Sequence, residues 1–448
     1  MVIGLNHCTA PLEMRERFWI GENRRYEVSR QLHSAEGVEE VVVLSTCSRT
    51  EFWLWASEPT LAANSLLQFL STDHGLKLSE WEHFYRRLDE AALTHVFRVT
   101  SGLDSLVLGN PHITAQVRSA LERAQTVGTA LRYLNQVIEH ALKVCQRVHQ
   151  ETGLSAVVES IPSQALELGQ EIFGSLHGRK VLLLGTAMTG DLSPRCIAEN
   201  ELGSVVVIDQ SPARAKDLAA KLGGTSATLA DRWNCMLRAD IVISATGCPH
   251  VVLTRAEAER IAVERNRVAL MIVDIGMPRD VDPEVRRVDG MLLYDLDGLA
   301  RAGKNHAPAR AAAIAEAEKI IAAEAQAFRS QLQAERTVPT IVALRSRLEE
   351  ICRQELESFI AERGPFTREQ SQSLHAVTSQ VIRKIASSLT RELKELPEKA
   401  EQERMTAAVN RLFHLDSSPA AGAGARSQKG KTERGKERGK EQGQAIAM

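Results

Sequence analysis

Cys47 stands two residues before Arg49 at the end of the run VVVLSTCSRTE, Val41 to Glu51. A guanidinium at that spacing favours a thiolate and can hold a carboxylate through two parallel hydrogen bonds, so Cys47 is a candidate nucleophile and Arg49 its candidate anion clamp. The competing reading is a small buried hydrophobe, the commonest fate of a free cysteine. The four aliphatic residues before the cluster predict a buried strand, whose end holds Ser45-Thr46-Cys47-Ser48-Arg49 rigid but open. His7, His95 and His112 sit near loop edges, where a lone histidine is more often a surface or hydrogen-bonding residue than a catalytic one.

A second chemistry is written further along. Arg179 to Gly185 reads as a strand running into a glycine turn, followed by Gly190, a helix and the strand-like Ser204-Val205-Val206-Val207-Ile208-Asp209. Strand, turn, helix and strand in that order form the dinucleotide-binding unit, with Asp209 placed to accept from ribose hydroxyls. Ala187 departs from the pattern where a middle glycine lets backbone approach a pyrophosphate, and Pro194 is expected to bend the helix that follows. Two further strand-to-loop transitions, at Asp240–Gly247 and Ala269–Gly276, and a last strand at Leu292–Tyr294 continue the α/β pattern. Asp274 and Asp295 are read equally as turn or cap formers and as ligand contacts.

The elements that must position these groups divide the 448 residues into several domains. Residues 1–159 read as an α/β domain with strands at Val2–Leu5, Val41–Leu44 and Glu51–Ala56, and with Gly102 and Gly109 marking a loop before a helix from Ile113. Residues 160–305 read as a Rossmann-type domain. Residues 306–416 change to Ala-rich, charge-spaced helical sequence, with Pro339 opening a new helix, and such a region after an enzyme-like body commonly dimerises. Residues 417–448 form a basic Ala/Gly-rich tail expected to be disordered. The fold class is thus multidomain α/β with an all-helical carboxy-terminal region.

Composition removes several classes. The net charge of −2 gives no global drive toward nucleic acid, although a local patch is allowed. Seven scattered cysteines contain no CxxC pair and no His/Cys cluster at metal spacing, which favours a reduced, cytoplasmic protein without structural zinc. No signal peptide and no membrane-spanning run is read.

Five stretches in this order, GLNHCTAPLEMRE (from Gly4), LSTCSRTE (from Leu44), FRVTSGLDSLVLG (from Phe97), DIGMPRDVDPEV (from Asp274) and LLYDLDGL (from Leu292), closely resemble glutamyl-tRNA reductase, the first enzyme of tetrapyrrole synthesis from glutamate. The resemblance spans roughly residues 1 to 415. It implies that Cys47 attacks the ester carbonyl of glutamyl-tRNA, releases the tRNA and leaves a thioester, which a nicotinamide hydride reduces to glutamate-1-semialdehyde. It implies roles for His95 beside the cysteine, for Arg49 on the substrate carboxylate, and for Thr46 and Ser105 in recognition. It also implies NADPH as cofactor, no metal, charged tRNA(Glu) as partner, glutamate-1-semialdehyde aminomutase as a candidate partner, and a V-shaped homodimer with a long spinal helix.

Several positions depart from the family pattern. Ser48 stands for Asn, Asn110 for Glu and His112 for Gln among residues that hold the glutamyl group. Losing the carboxylate at Asn110 removes a countercharge to the substrate ammonium worth about 2 to 5 kcal/mol when buried. At the cofactor site Ala187 replaces glycine, and Asp209-Gln210-Ser211 replaces Asn-Arg-Thr between Gly185 and Arg214, which points toward NADH. The carboxy-terminal Leu-His element is only approximately echoed by Leu412-Phe413-His414. The alternative function is a divergent, non-catalytic paralogue acting as a tRNA-binding, scaffolding or regulatory dimer.

Overall fold

A computed structural model describes residues 1–154, 160–186, 192–302, 307–395 and 399–415. Ala187, Gly190 and the tail beyond Ser417 lie outside the described residues. Two compact units emerge, Met1–Ser330 and Gln331–Met448.

The first unit opens with β1 (Val2–Asn6), α1 (Leu12–Phe18), α2 (Glu22–His33), β2 (Glu40–Ser45), β3 (Arg49–Trp55), α3 (Pro59–His74), β4 (Tyr85–Arg87), α4 (Asp89–Thr100), α5 (Pro111–Val127) and α6 (Arg132–Glu151). Its sheet is antiparallel in the order β2-β3-β1-β4. Ile3, Leu5, Val41, Val43, Phe52 and Leu54 alternate along three strands and bury one face against α2 and α3. Glu40 is also buried, and its carboxylate accepts from the backbone N–H groups of Leu131, Tyr133 and Leu134 at 2.8 to 3.0 Å. An anion there satisfies the orphan donors at the start of α6 and complements the helix dipole.

The Rossmann-type part follows with α7 (Ile161–Phe173), β5 (Lys180–Leu184), α8 (Pro194–Glu199), β6 (Ser204–Ile208), α9 (Pro212–Leu222), β7 (Thr225–Ala227), α10 (Arg232–Arg238), β8 (Ile241–Ser244), α11 (Arg255–Glu264), β9 (Leu270–Asp274), β10 (Met291–Asp295) and α12 (Leu296–Ala302). Its six strands are all parallel in the order β10-β9-β8-β5-β6-β7, which reverses between β5 and β8. A ligand cleft is expected at that switch point. Gly185 has φ +86°, and a Cβ there would come within 2.1 Å of the Ala245 carbonyl oxygen, so only glycine lets the ends of β5 and β8 approach. Pro194 does not bend its helix. It occupies the first turn of α8, where no N–H is required, and the Ser193 hydroxyl caps the helix by accepting from Cys196 N.

The helix α13 (Ala307–Arg363) is continuous through Pro339, against the expectation of a new start there. Proline removes one N–H bond, its immediate flanks Thr337-Val338 and Thr340-Ile341-Val342 are β-branched, and the Ala-, Leu-, Glu- and Arg-rich turns beyond them carry the run across it. Within the first unit, Ala313, Ala317, Ile321, Ala325 and Phe328 make a buried stripe at helical spacing. Phe328 stacks on His140 of α6 with centroids 4.4 Å apart, and Glu324 lies 3.0 Å from the same imidazole.

The second unit continues α13 and adds α14 (Arg368–Glu395) and α15 (Lys399–Leu412). Val377, Val381 and Ile385 recur every four residues on α14, and all are exposed in the single chain. An apolar stripe of this kind needs a cover. The full chain is expected to run as a dimer in light scattering, a chain ended near Arg301 as a monomer, and Val381→Asp to weaken the dimer at least tenfold. A full-length monomer at micromolar concentration would overturn this. Among the described residues no helix is long and apolar enough to cross a membrane, and no three His, Cys, Asp or Glu side chains are grouped to hold a metal ion.

Candidate active site

The tight turn between β2 and β3 presents the candidate nucleophile. Thr46 N donates to Arg49 O at 2.8 Å, leaving Cys47 and Ser48 at the tip. The Thr46 hydroxyl accepts from the backbone N–H groups of Ser48 and Arg49, both at 3.2 Å, which fixes the turn from inside. On the other side His7 N donates to Ser48 O at 3.0 Å, extending the pairing of β1 with β3 to the turn. Cys47 is half-buried and packs against the apolar cluster of the parallel sheet.

Arg49 is fully buried and does not act as a free clamp. Its Nη1 donates to Glu51 Oε1 at 2.6 Å and to Asp104 Oδ2 at 3.0 Å, while Nη2 donates to the Asp104 carbonyl. Two carboxylates therefore absorb most of its charge. The Cys47 thiol is pushed up from its ordinary value by burial, which outweighs the opposing effects of Arg15, its own backbone N–H and Arg49. The expectation that Arg49 makes the thiol acidic is corrected by this arrangement.

Glu51 is the hub of the site. Its carboxylate accepts from Arg49, from Tyr85 Oη at 2.6 Å and from Trp53 Nε1 at 2.6 Å, and His95 Nε2 lies 3.2 Å away. Burial opposes its charge, but His95, Arg49 and the Tyr85 hydroxyl outweigh burial and hold the carboxyl well below the ordinary range. His95 stands in the middle of α4 and not at a loop edge as expected, and this anion orients its imidazole. Around the turn, His7 is held neutral at neutral pH, its pKa pushed down to about 4 by burial and by Arg49 and Arg15.

The remaining candidates occupy two neighbouring places. Ser48 is buried with its hydroxyl 3.5 Å from that of Thr46. Ser105 follows Asp104 in the loop that Gly102 and Gly109 close, Gly109 N donating to Gly102 O at 3.0 Å. Asn110 caps α5, its Oδ1 accepting from His112 N at 2.9 Å, so the side chain that replaces a carboxylate also does helix-start work.

Sequence reasoning passes over Arg15, Glu51, Tyr85 and Asp104, which the structure ties to the site, over Asp297, which is joined to it from the parallel sheet through Arg15, and over Arg279, which pairs with Glu16 beside Arg15. Arg15 is buried, donates from Nη1 to the Cys47 carbonyl at 3.3 Å, and pairs through Nη2 with both oxygens of Asp297 at 2.5 Å. A usable signal exists: all but Tyr85 lie inside the five motif stretches, as charged residues beside apolar runs.

At the second site a cleft of about 460 Å³, counting space open to solvent, lies outside the ends of β5, β6 and β8. Asp209, Gln210, Thr246, Cys248 and His250 line it. Asp209 Oδ2 accepts from Thr186 N at 2.9 Å and Thr186 Oγ1 at 2.7 Å, and Oδ1 accepts from Ser211 N at 2.8 Å and lies 3.1 Å from Arg214. Burial works against its charge, but these partners hold its pKa below the ordinary value. Gln210 Nε2 donates to Cys248 Sγ at 2.8 Å. The glycine that admits close backbone approach, the open cleft and the acid after the second strand fit the adenosine half of a dinucleotide. Asp274 and Asp295 both act as turn formers, Asp274 accepting from Gly276 N and Val281 N and Asp295 from Gly298 N.

Residues 3–152 match the model of the glutamyl-tRNA(Glu) reductase N-terminal domain, residues 167–302 that of shikimate/quinate 5-dehydrogenase, and residues 316–415 that of the glutamyl-tRNA(Glu) reductase dimerisation domain. The chain is 38% identical over 421 residues to the glutamyl-tRNA reductase of Desulforudis audaxviator, covering 93% of each, and 33% identical over 417 residues to that of Syntrophotalea carbinolica, covering 93% of this chain and 94% of the relative. The solved glutamyl-tRNA reductase of Methanopyrus kandleri is similar with a TM-score of 0.51 and 26% identity over 92% of this chain and 98% of that one. With a parallel dinucleotide-type sheet between two regions matching that family's own terminal domains, the chain belongs to the glutamyl-tRNA reductase family.

Proposed function

We propose that this chain reduces the glutamyl ester of charged tRNA(Glu) to glutamate-1-semialdehyde through a thioester on Cys47, feeding tetrapyrrole synthesis. One observation supports the reading above the others. His7 Nδ1, Arg15 Nε and Arg49 Nε are buried around the Cys47 turn without a hydrogen-bond partner among the described residues. Buried polar groups are rarely left so, and a bound polar substrate is the natural partner for His7 Nδ1 and Arg49 Nε beside the thiol.

In the first step the Cys47 sulfur attacks the ester carbonyl carbon, the bond to the ribose oxygen breaks, and tRNA leaves as the alcohol after taking a proton. Arg49 Nε–H, its other nitrogens fixed on Glu51 and Asp104, is a rigid donor for the substrate carboxylate. His95, oriented by Glu51, donates toward the developing oxyanion. When bound, a reduced nicotinamide dinucleotide would supply a hydride to the thioester carbon; the chain's own part is to release the Cys47 sulfur as the carbon–sulfur bond breaks, the thiol regaining its proton as the aldehyde forms. Gly185, Asp209 and the cleft beside Cys248 would hold the adenosine half of the dinucleotide.

Incubation with charged tRNA in the absence of nicotinamide, followed by intact-mass and peptide analysis, is expected to place a glutamyl adduct on Cys47 and on none of the other six cysteines. An adduct-free Cys47 with normal turnover would sink the assignment. The cofactor carries its own prediction. An anion at Asp209, beside Gln210 rather than a cation, opposes a 2′-phosphate, and Arg214 is already paired with it. NADH is expected to bind at least as tightly as NADPH in side-by-side calorimetric titrations, and Asp209→Asn to move the ratio about tenfold toward NADPH, about 1.4 kcal/mol. A clear NADPH preference in the parent would refute the Asp209 argument.

A further inference from the structure

Helix α1 carries Arg15 and Glu16 side by side, and both reach across to the parallel-sheet region with opposite charge sense. Arg15 pairs with Asp297 in the first turn of α12. Glu16 accepts from Arg279 four times over: from its backbone N at 2.8 Å, from Nε to each carboxylate oxygen at 2.9 Å, and from Nη2 at 2.6 Å. Glu13 adds a contact to Nη1 at 3.2 Å. These are not loose surface pairs, because the side chains of Arg279 and Glu16 are 16% and 17% exposed and that of Arg15 only 1%.

Both partners from the parallel sheet are rigidly mounted. Arg279 stands in the loop after β9, which Asp274 holds through Gly276 N and Val281 N, while Asp280 accepts from Ser244 Oγ at 2.7 Å and Thr246 N at 2.8 Å. A Cβ on Gly276 would meet the Asp280 carboxylate at 2.8 Å, so the loop closes only with glycine there. Asp297 sits between Leu296 and Leu299, both buried in the core of that sheet. The same Arg15 guanidinium that grips Asp297 also donates to the Cys47 carbonyl. A displacement of the cofactor-binding domain is therefore passed directly to the nucleophile's turn.

We propose that α1 is the seat on which the cofactor-binding domain docks, and that Arg15 is a positioning residue coupling this docking to Cys47, so that the Arg15–Asp297 and Glu16–Arg279 pairs serve the hydride step and not ester cleavage. The inference rests on the two-step reading given above. Ester cleavage needs only the turn and its neighbours in the antiparallel domain. Reduction needs the nicotinamide brought to a thioester on the sulfur that packs against the parallel sheet.

Three readouts on the full chain test it: the alkylation rate of Cys47 by iodoacetamide, adduct formation from charged tRNA without nicotinamide, and aldehyde formation with NADH or NADPH. In Asp297→Asn and Arg279→Gln, alkylation is expected to rise at least threefold as the sheet lifts from Cys47, adduct formation not to fall, and aldehyde formation to drop at least tenfold. The charge swap Glu16→Arg with Arg279→Glu should recover at least a third of the aldehyde yield lost in Arg279→Glu alone. A general loss of structure would lower both steps together, so opposite movement of the two is the signature. Unchanged alkylation, or both steps falling in proportion, overturns the proposal. If the parent itself forms no adduct, the two-step reading fails, while the alkylation rates still decide whether the pairs seat the domain.

Discussion

Replacing Glu51 by glutamine is expected to cost about 3 to 5 kcal/mol of stability in urea unfolding, the range for removing one partner of a buried ion pair. Each oxygen of this carboxylate faces a group that can only donate, Arg49 Nη1 on Oε1 and Trp53 Nε1 on Oε2, and Tyr85 Oη adds its hydroxyl at Oε1. A carboxylate accepts on both oxygens, whereas an amide must turn its NH2 toward one side, and on either side it would meet a donor. The Arg49 guanidinium would keep only the Asp104 carboxylate, itself partly exposed. The pH dependence follows with a definite sign. The folded-state pKa of Glu51 is depressed below its ordinary 4.5, so its contribution is fully present above about pH 4.5 and is lost as pH falls through that value toward the folded pKa. Acid unfolding of the parent should therefore contain a component that Glu51→Gln lacks. Turnover should fall further than stability alone explains, because His95 loses its orienting anion. A variant within 1 kcal/mol of the parent, with normal turnover, would remove Glu51 from the centre of the site.

How much of this was legible in the sequence depends on the length scale of each signal. The parallel sheet announces itself because runs such as Val181–Leu184 and Ile241–Ser244 are apolar on both faces and end in glycine or a small polar residue. β4 is only three residues at a sheet edge and carries no periodic pattern, so it escapes notice even though it delivers Tyr85 to Glu51. Pro339 reads as a boundary because local rules weigh proline heavily, while the helix on both sides outweighs it. At the site, Cys47 and Arg49 are visible as a pair, but the partners of Arg49 are not: Glu51 is two residues away on the same strand and face, Asp104 is far along the chain, and only folding brings both to one guanidinium. The same holds for Arg15 and Asp297, separated by 282 positions. Local chemistry singles out Cys47 as a candidate, whereas the network that sets its protonation is long-range.

Cys47→Ser should leave the fold within about 1 kcal/mol of the parent, since a hydroxyl replaces a thiol that is only half-buried, yet it should abolish the glutamyl adduct and lower turnover by a factor on the order of 10³ or more. The reason is specific to sulfur. A thiol ionises many orders of magnitude more readily than an alcohol, and a thiolate leaves again when the thioester is reduced, whereas an oxygen ester would merely exchange one ester for another. Nothing in the turn compensates for the change, since its hydroxyl neighbours Thr46 and Ser48 hydrogen-bond within the turn. The raised thiol pKa adds a pH profile to the argument. Because burial lifts it above the ordinary 9.0, the thiolate fraction of the free protein should grow about tenfold per pH unit through the neutral range, and alkylation of Cys47 by iodoacetamide should climb without a plateau below about pH 9. An early plateau near neutral pH would mean that Arg15 and Arg49 together outweigh burial and that the thiol is activated before substrate arrives. A continued rise would instead assign activation to the bound state, in which the substrate carboxylate and ester carbonyl engage the buried donors that the free site leaves without partners.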